Sequence, residues 1–275
     1  MCKLLIGVNS MPNNEDFEKY IEGQEDELRD QKDGIGALVI TFDGEVKIFR
    51  NYDNYDEVFR NVYENIANAK LISIHTRTGT SGTKDIRNCH FFESDNYAFA
   101  HNGFVLKYHN RWSTFYDSKT RRLWDRVGDD GPLYCSGCES SKKGICKTHD
   151  KGSETTDVKG NKSDMCDSYQ FIQNIKKPLT IEILKKEIDE KDFNGFGVVI
   201  DTKTKKVFLL IKKDVKLQVN DSSCVFGIFY SYMPEKKYES VTFEPIYGIP
   251  VVKIKIVDLG LPIKTVANGV FELNY

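Results

Sequence analysis

Apolar and polar positions alternate in short runs over much of the chain, and this alternation predicts strands separated by a few helices. Runs of roughly four to eight apolar or β-branched residues between polar turns are typical of strands. In the first half of the chain we predict strands at Leu4–Val8, Gly36–Ile40, Val46–Phe49, Leu71–Ile74 and Tyr97–Ala100. In the second half we predict a hairpin of Gly195–Asp201 and Lys206–Ile211, then strands at Cys224–Tyr230, Ser240–Glu244 and Val251–Ile256.

Helical spacing of apolar residues predicts helices between these strands. They are expected at Asn14–Gln31, at Asp53–Ala69, at Ser168–Asn174, and from the N-cap residue Thr180 to Ile188. Strands that outnumber the helices in this order indicate an α+β fold, with two antiparallel sheets and helices on their outer faces. The sequence has no internal repeat, so we expect a single domain over residues 2–275.

Charge and composition exclude several classes of function. The chain has 41 acidic and 39 basic residues and a formal net charge of -2, so its net charge does not indicate nucleic-acid binding. No apolar run approaches the roughly 20 residues of a membrane span, and the first apolar run is too short for a signal peptide. Seven cysteines fit a reducing compartment better than a disulfide framework. We therefore expect a cytoplasmic protein with no membrane contact.

Cys2 is the first candidate for chemistry. Cysteine is small enough for Met1 to be removed in front of it, which would leave a thiol and a free α-amino group on one residue. An α-amino group titrates at about pH 7.7 to 8, so it can take the thiol proton and return it to a leaving group. The simpler interpretation is a small apolar residue of the first strand.

A polar, glycine-bearing segment follows the predicted strand Leu71–Ile74. It reads His75-Thr76-Arg77-Thr78-Gly79-Thr80-Ser81-Gly82, and Asn88-Cys89-His90 and His101-Asn102-Gly103 come after it. Together with Cys2 and the later Asp167-Ser168, these segments resemble the class II glutamine amidotransferases. That family has an N-terminal Cys, then His-Thr-Arg-x-x-Thr-x-Gly, Asn-x-His-Pro, His-Asn-Gly and Asp-Ser/Thr-Glu, in this order.

Two further segments also look like the family's. Cys2-Lys3-Leu4-Leu5 is similar to its opening, and Asp33-Gly34-Ile35-Gly36 to its Asp-Gly-x-Gly loop. The resemblance covers roughly residues 2–110 and, more weakly, 163–260. It implies a four-layer αββα sandwich of the N-terminal nucleophile (Ntn) hydrolase type. Three positions depart from the pattern: Phe91 replaces proline, Tyr169 replaces an acidic residue or glutamine, and Thr78 stands where several members have an aromatic residue.

The resemblance implies a role for each matched residue, and each role makes chemical sense. Glutamine must be held by its α-carboxylate, which suits the planar fork of Arg77, and by its α-ammonium, which suits Asp167. In the family, the positions of Asn102 and Gly103 supply the oxyanion hole. Thr80 and Gly82 would shape the glutamine loop.

Each of these residues also has a simpler interpretation. An Asn-Gly pair such as Asn102-Gly103 is most often a tight hairpin turn. An isolated arginine such as Arg77 is most often a solvated surface charge, and Asp167 with the serine after it is a common helix N-cap. For the three histidines of the motifs we expect structural hydrogen bonding rather than proton transfer, because the N-terminal amine fills that role. These are His75, His90 and His101.

A second constellation lies between the His-Asn-Gly and Asp-Ser motifs, which are closer together in the family. Here an insertion over 111–163 separates them, and within it Cys135, Cys138, Cys146 and His149 form a C-x2-C-x7-C-x2-H array. Three thiolates and one imidazole suit tetrahedral Zn²⁺, and a closed set of four ligands indicates a structural site. Cys166 is an alternative to His149, and unrelated loop cysteines are the simpler interpretation.

The insertion suggests a place for a partner. It could bind a synthetase, cover the ammonia exit, or contact a macromolecular acceptor. Just before the zinc array, Arg121-Arg122-Leu123-Trp124-Asp125-Arg126 places an aromatic residue between arginines, which occurs at interfaces. The more frequent arrangement for such a run is a helix with one buried ring.

The sequence therefore predicts an enzyme, a class II glutamine amidotransferase that hydrolyses glutamine with Cys2 and supplies ammonia. Members of the family pass the ammonia to a synthetase site, and we expect that acceptor enzyme on a separate chain. Two alternatives stay open. One is a stand-alone Ntn amidase acting on another γ-glutamyl or small amide, and the other is a non-enzymatic, zinc-stabilised adaptor on the same fold.

We predict that purified protein contains one Zn²⁺ per chain and that the metal supports a contact surface. The insertion has too little apolar content to order itself, so chelation should unfold residues near 128–162 first. Metal analysis and hydrogen exchange before and after chelation measure both effects. Glutamine hydrolysis without a partner should survive at least in part. A zinc-free preparation with a well-ordered insertion would remove the basis for this prediction.

Overall fold

The chain folds into helices and strands, and strands are the more numerous elements in both halves of the sequence. The structure is a computed structural model that describes residues 2–9, 11–78, 82–108, 112–117, 122–127, 133–135, 155–156, 162–212, 216–218, 226–230, 263–265 and 269–273. The helices are α1 (Glu15–Gly23), α2 (Glu25–Arg29), α3 (Tyr55–Ile66), α4 (Asp167–Gln173) and α5 (Ile181–Glu190), with short 3-10 turns at Ile86–Asn88 and Leu106–Tyr108.

The strands fall into two larger sheets and two small ones. Those of the first half are β1 (Lys3–Val8), β2 (Ile35–Thr41), β3 (Val46–Asn51), β4 (Ala69–Thr76), β5 (Phe92–Ser94) and β6 (Tyr97–Val105). The insertion contains β7 (Trp112–Asp117), β8 (Arg122–Val127), β9 (Leu133–Cys135), β10 (Thr155–Thr156) and β11 (Lys162–Ser163). The last are β12 (Phe193–Asp201), β13 (Val207–Lys212), β14 (Lys216–Gln218), β15 (Phe226–Tyr230), β16 (Ile263–Thr265) and β17 (Gly269–Leu273).

All of the described strand pairs are antiparallel. The first sheet has the order β16-β14-β15-β1-β4-β2-β3, and the second has the order β17-β13-β12-β6-β5. Strands β7-β8-β9 and β10-β11 form the small sheets. The prediction of an α+β fold with two antiparallel sheets and helices is therefore confirmed.

Three apolar clusters hold the elements together, because side chains on a strand alternate between its two faces. On β1, Leu4 and Ile6 lie in a cluster shared with Ala98 and Val198 of the second sheet, so this cluster fills the space between the sheets. Leu5 points the other way, into a cluster with α1, α2 and α3. On the outer face of the second sheet, a third cluster packs β6 and β12 against α4 and α5.

Each predicted helix is present near its predicted position, but its first and last residues differ from the prediction. The predicted helix Asn14–Gln31 is interrupted at Gln24, which ends α1 and begins α2. Asn14, Asn54 and Thr180 cap α1, α3 and α5 by accepting a backbone N–H with their side chains. No helix among the described residues is long and apolar enough to cross a membrane.

The predicted strand Tyr97–Ala100 is present as part of β6, and two of the simpler interpretations are wrong. Asn102-Gly103 is not a tight turn, because β6 continues through both residues to Val105 and pairs with β12. Residues 122–126 are not helical, because Arg122–Val127 forms β8 between β7 and β9. The predicted strands Ser240–Glu244 and Val251–Ile256 lie outside the described residues.

The glycines of the Asp-Gly-x-Gly segment are explained by close backbone packing. A Cβ on Gly36 would lie 1.4 Å from the carbonyl oxygen of His90, and a Cβ on Gly34 would lie 2.3 Å from the Cys89 thiol sulfur. Residues 89 and 90 can therefore pass directly over β2 only because these two positions lack side chains. The contact brings the Asn-x-His motif next to the first sheet.

We predict that Gly36→Ala lowers the free energy of unfolding by about 2 kcal/mol or more, because backbone atoms at His90 must move to admit the methyl group. The matched control is Gly23→Ala, whose added Cβ meets nothing within 4 Å. It should leave stability unchanged or raise it slightly, because alanine is the better helix former. Urea unfolding of the two variants measures the difference, and equal stabilities would contradict the packing argument.

Candidate active site

Cys2 lies immediately before β1, which pairs with β4 on one side and β15 on the other. Its thiol is half-buried against the backbone of Thr78, whose N–H donates to the sulfur at 3.3 Å, and the sulfur lies 3.4 Å from the Thr78 carbonyl oxygen. Burial raises the pKa of the Cys2 thiol, and the Thr78 N–H and the charge of Arg77 oppose that rise. The Thr78 N–H and Arg77 therefore favour the thiolate form of Cys2, although burial has the larger effect on its pKa.

Asn102 and Gly103 approach Cys2 from the second sheet. The Asn102 amide nitrogen donates to the Cys2 carbonyl oxygen at 2.7 Å, so one side chain joins the start of β1 to the middle of β6 across the two sheets. Gly103 pairs with Gly195 of β12 and has a φ of 152°. A Cβ at 103 would lie 2.0 Å from the Asn194 carbonyl oxygen, so glycine is required at this point of the β6–β12 pair.

Arg77 and Asp167 are both buried near the thiol. Each side chain belongs to a residue that is only 3% exposed, so the interpretations of Arg77 as a surface charge and of Asp167 as an N-cap are wrong. The Asp167 carboxylate accepts the Val105 N–H at 2.6 Å, while the N-cap of α4 is Cys166. The two charges act on the Cys2 thiol in opposite senses, since Arg77 lowers its pKa and Asp167 raises it.

The Arg77 guanidinium is held by backbone oxygens. Its Nη1 donates to the Thr83 carbonyl at 3.2 Å and lies 3.5 Å from the Asp33 carbonyl oxygen. Two backbone bonds also join this segment to the Asp-Gly-x-Gly loop, from Asp33 N–H to the Arg77 carbonyl and from Arg77 N–H to the Gly34 carbonyl. The loop that the sequence singled out therefore fixes the direction of Arg77.

Of the other two residues of the predicted glutamine loop, the structure describes Gly82 but not Thr80. Gly82 has a φ of 71° and lies against the backbone of Asp164 and Cys166, where a Cβ would come within 3.0 Å of both. Thr80 lies outside the described residues. Of the predicted zinc ligands, Cys138, Cys146 and His149 also lie outside them, and Cys135 is placed only as the last backbone position of β9.

Cys166 lies in the apolar cluster around α4. Burial raises the pKa of its thiol to about 12. Cys166 as an alternative zinc ligand to His149 stays a prediction, because three of the other predicted ligands lie outside the described residues. Among the described residues, no group of three or more His, Cys, Asp and Glu side chains could hold a metal ion.

The three histidines behave differently from one another. His101 has partners at both ring nitrogens, with Ser168 Oγ and the Asn194 carbonyl oxygen each at 3.0 Å, as expected for a structural hydrogen-bonding residue. His75 and His90 are also buried, with ring centroids 3.9 Å apart, but within the described part of the chain no hydrogen bond reaches their ring nitrogens. The expectation of hydrogen bonding is wrong for these two residues.

Burial keeps both of these imidazoles neutral. It lowers the pKa of His75 to about 3 and the pKa of His90 well below its ordinary value, and the neighbouring positive groups add to the effect. Neither imidazole can then act as an acid or a base near neutral pH. The N-terminal amine proposed for Cys2 is the group in this region with a suitable ordinary pKa.

Tyr55 is a neighbour of the site that sequence patterns did not reveal. Its hydroxyl accepts the Gly34 N–H at 3.2 Å, and burial raises its pKa to about 12, with a smaller contribution from Cys2. The residue stands at the start of α3, where a sequence gives no sign that a hydroxyl reaches another segment. Thr78 was noted only as a departure from the family pattern, yet its backbone is the direct contact of the thiol.

An open groove of 430 Å³ lies elsewhere, on the outer side of α2 and α3. It contains none of the predicted site residues. Its lining residues are Glu25, Arg29, Asp56, Phe59, Arg60, Tyr63 and Glu64. Arg29 is neutralised there by ion pairs with Glu25 at 2.5 Å and Asp56 at 2.7 Å, so the groove offers no unbalanced charge to a ligand through this arginine.

Comparison with known proteins gives similarity only at the level of solved structures. No protein family model and no curated protein matches the chain. A glutamine phosphoribosylpyrophosphate amidotransferase from B. subtilis, solved with ADP and GMP, is 11% identical with a TM-score of 0.47, over 82% of this chain and 41% of that one. An allosteric regulatory enzyme of purine biosynthesis is 14% identical with a TM-score of 0.48, over 83% and 41%.

A third solved structure is a glutamine aminotransferase class-II domain protein from Silicibacter pomeroyi, which is 13% identical with a TM-score of 0.39, over 83% of this chain and 88% of that one. The chain spans 41% of the length of each of the first two proteins. We therefore take the function of this chain from its own residues. In the order of its motifs the chain resembles the class II glutamine amidotransferases.

Proposed function

We propose that this chain is a glutamine amidotransferase of the Ntn hydrolase type, with Cys2 as its nucleophile after removal of Met1. One observation carries the proposal. The Cys2 thiol, the Asn102 amide and the buried charges of Arg77 and Asp167 converge on one place, although the sequence separates them widely. A thiol, an amide donor, a cation and an anion are the groups that hydrolysis of free glutamine needs.

The mechanism follows from these groups. The α-amine of Cys2 takes the thiol proton, and the thiolate attacks the side-chain carbonyl carbon of glutamine. The oxyanion that forms accepts hydrogen bonds from the Asn102 side chain and the Gly103 N–H. The amine then returns the proton to the leaving nitrogen, and ammonia departs from a γ-glutamyl thioester. Water cleaves the thioester and releases glutamate with the free thiol.

Specificity for an amino acid comes from the two buried charges. Arg77 pairs with the α-carboxylate and Asp167 with the α-ammonium, so both charged ends of glutamine are compensated on binding. An amide that lacks one of these ends would form only one of the two ion pairs, so it should bind more weakly than glutamine. This reasoning favours glutamine over a simple aliphatic amide.

Zinc and the acceptor enzyme are further parts of the proposal. We propose that Cys135, Cys138, Cys146 and His149 hold a structural Zn²⁺ in the insertion, and no step of the reaction passes through it. We also propose that a synthetase on another chain uses the ammonia in the cytoplasm. The insertion joins the domain between β6, which carries Asn102, and α4, which begins at Asp167, so a partner bound there would lie next to the site.

We predict that Cys2→Ala and Cys2→Ser abolish glutamate release from glutamine and leave the melting temperature nearly unchanged. Active wild-type protein should lack Met1, because a retained Met1 would place the catalytic amine in a peptide bond. A glutamate assay and the mass of the intact chain test both points. Cys89→Ala is the control, since burial raises the pKa of that thiol to about 11. A fully active preparation that retains Met1 would contradict the mechanism.

We predict different kinetic effects for Asn102, the proposed oxyanion donor, and for the substrate clamp, the two charged residues Arg77 and Asp167 that are proposed to bind glutamine. Asn102→Ala should lower kcat roughly 100- to 1000-fold, because the oxyanion exists only in the transition state and the intermediate. Arg77→Lys and Asp167→Asn should mainly raise KM, because they weaken binding in ground and transition states alike. Steady-state glutamate release gives both constants. The assignment of Asn102 fails if its alanine variant changes KM alone.

A further inference from the structure

The Asn88 side chain connects three segments of the site, although no role for it follows from the chemistry above. It is fully buried at the end of the 3-10 turn Ile86–Asn88. Its amide nitrogen donates to the Thr83 carbonyl at 3.0 Å, to Thr83 Oγ1 at 3.1 Å, and to the Asp164 carbonyl at 2.8 Å. Its amide oxygen accepts the Cys166 N–H at 2.7 Å.

The hydrogen bond from Asn88 to Thr83 connects it to Arg77, the residue proposed to bind the α-carboxylate of glutamine. The same Thr83 carbonyl that Asn88 contacts also accepts the Arg77 guanidinium at 3.2 Å. The Thr83 N–H donates to the Asp164 carbonyl at 2.9 Å, so the loop after Arg77 is tied directly to the chain that returns from the insertion. The position of this carbonyl therefore sets where Arg77 can point.

The hydrogen bond from Cys166 to Asn88 connects it to Asp167, the residue proposed to bind the α-ammonium of glutamine. Cys166 is the N-cap of α4, and Asp167 is the first residue of that helix. Holding the Cys166 N–H fixes the start of α4, and with it the backbone from which the Asp167 carboxylate reaches the Val105 N–H. One amide thus contacts both backbone segments from which Arg77 and Asp167 extend.

We propose that Asn88 is a positioning residue that sets the spacing between Arg77 and Asp167, and so the affinity of the site for a free α-amino acid. This inference rests on the proposed function. An amide suits the task because it presents two N–H donors and a carbonyl acceptor on a short, stiff side chain. Aspartate has the same shape without the donors, and alanine has neither donors nor acceptor.

The experiment compares Asn88→Ala and Asn88→Asp with the wild type in two assays. Glutamate release gives KM and kcat. Alkylation of Cys2 by iodoacetamide, with increasing glutamine present, gives the concentration that protects half of the thiol without requiring turnover. Both variants should raise KM and the half-protecting concentration about 10-fold, because loss of a buried hydrogen-bond network weakens the clamp. Their kcat should stay within about 3-fold of the wild type.

The matched control is Asn9→Ala. Asn9 is another buried amide with several bonds, to the Ala69 carbonyl at 3.0 Å, from Asn14 Nδ2 at 3.0 Å and from the Met11 N–H at 3.3 Å. It follows Val8 at the end of β1 opposite to Cys2. Asn9→Ala should cost stability in the same way as the Asn88 variants, with no change in KM or in protection.

The outcomes separate the two proposals. If wild-type protein neither hydrolyses glutamine nor is protected by it, the proposed function is wrong and this inference falls with it. If the wild type is active and protected, but the Asn88 variants match Asn9→Ala in KM and protection, the role of Asn88 alone is overturned. If the Asn88 variants do not fold, Thr83→Val keeps the Thr83 carbonyl but removes the hydroxyl, which contacts Asn88, the Asp85 carboxylate and the Asp164 carbonyl, and it should raise both values about 3-fold. No rise in either value would overturn the role.

Discussion

The hydrogen bond from the Asn102 amide to the Cys2 carbonyl is the contact on which the site depends. It joins the start of the first sheet to the middle of β6 in the second sheet, at 2.7 Å. The apolar cluster between the sheets fixes their separation, because Leu4 and Ile6 on β1 pack against Ala98 and Ala100 on β6. The hydrogen bond therefore holds the Asn102 side chain beside Cys2 at a place that the packing of the two sheets fixes.

Glycine at 103 and at 36 makes room for this arrangement. Gly103 lets β6 pair closely with β12 where a side chain would meet the Asn194 carbonyl, and Gly36 lets the His90 backbone lie on β2. Asn102 then lies within β6, Cys2 and Arg77 lie next to the ends of β1 and β4, and Asp167 begins α4. Strand ends held by a packed core keep reacting groups in a fixed geometry, which is where much of the catalytic advantage of an enzyme arises.

The sequence was informative wherever local pattern decides the outcome. Strand β1, the β12–β13 hairpin and the cap at Thr180 follow from alternation and from capping chemistry, and the structure has all three. Asn102-Gly103 shows the limit, since this dipeptide favours a turn and becomes part of a strand because Gly195 lies opposite Gly103. A single sequence cannot reveal which residue will lie across a strand pair.

In the candidate site, the burial and the contacts of the charged and amide side chains could not be predicted from the sequence either. The ordered motifs predicted Arg77 and Asp167 as a pair, but their burial depends on carbonyls and N–H groups from distant segments, such as Thr83 and Val105. The hydrogen-bond contacts of the Asn88 amide also join residues that the sequence separates by up to 78 positions. Such contacts come from the topology of the two sheets, and no local pattern encodes them.

The central claim is that Cys2 becomes a γ-glutamyl thioester during hydrolysis. Rapid acid quenching of the wild-type enzyme during turnover, followed by mass spectrometry of the intact chain and of its peptides, tests it directly. The account predicts a chain without Met1 that carries one glutamyl group on the Cys2 peptide, in an amount that falls when glutamine is exhausted. A glutamyl group on any other residue, or glutamate production by a chain that still carries Met1, would contradict it.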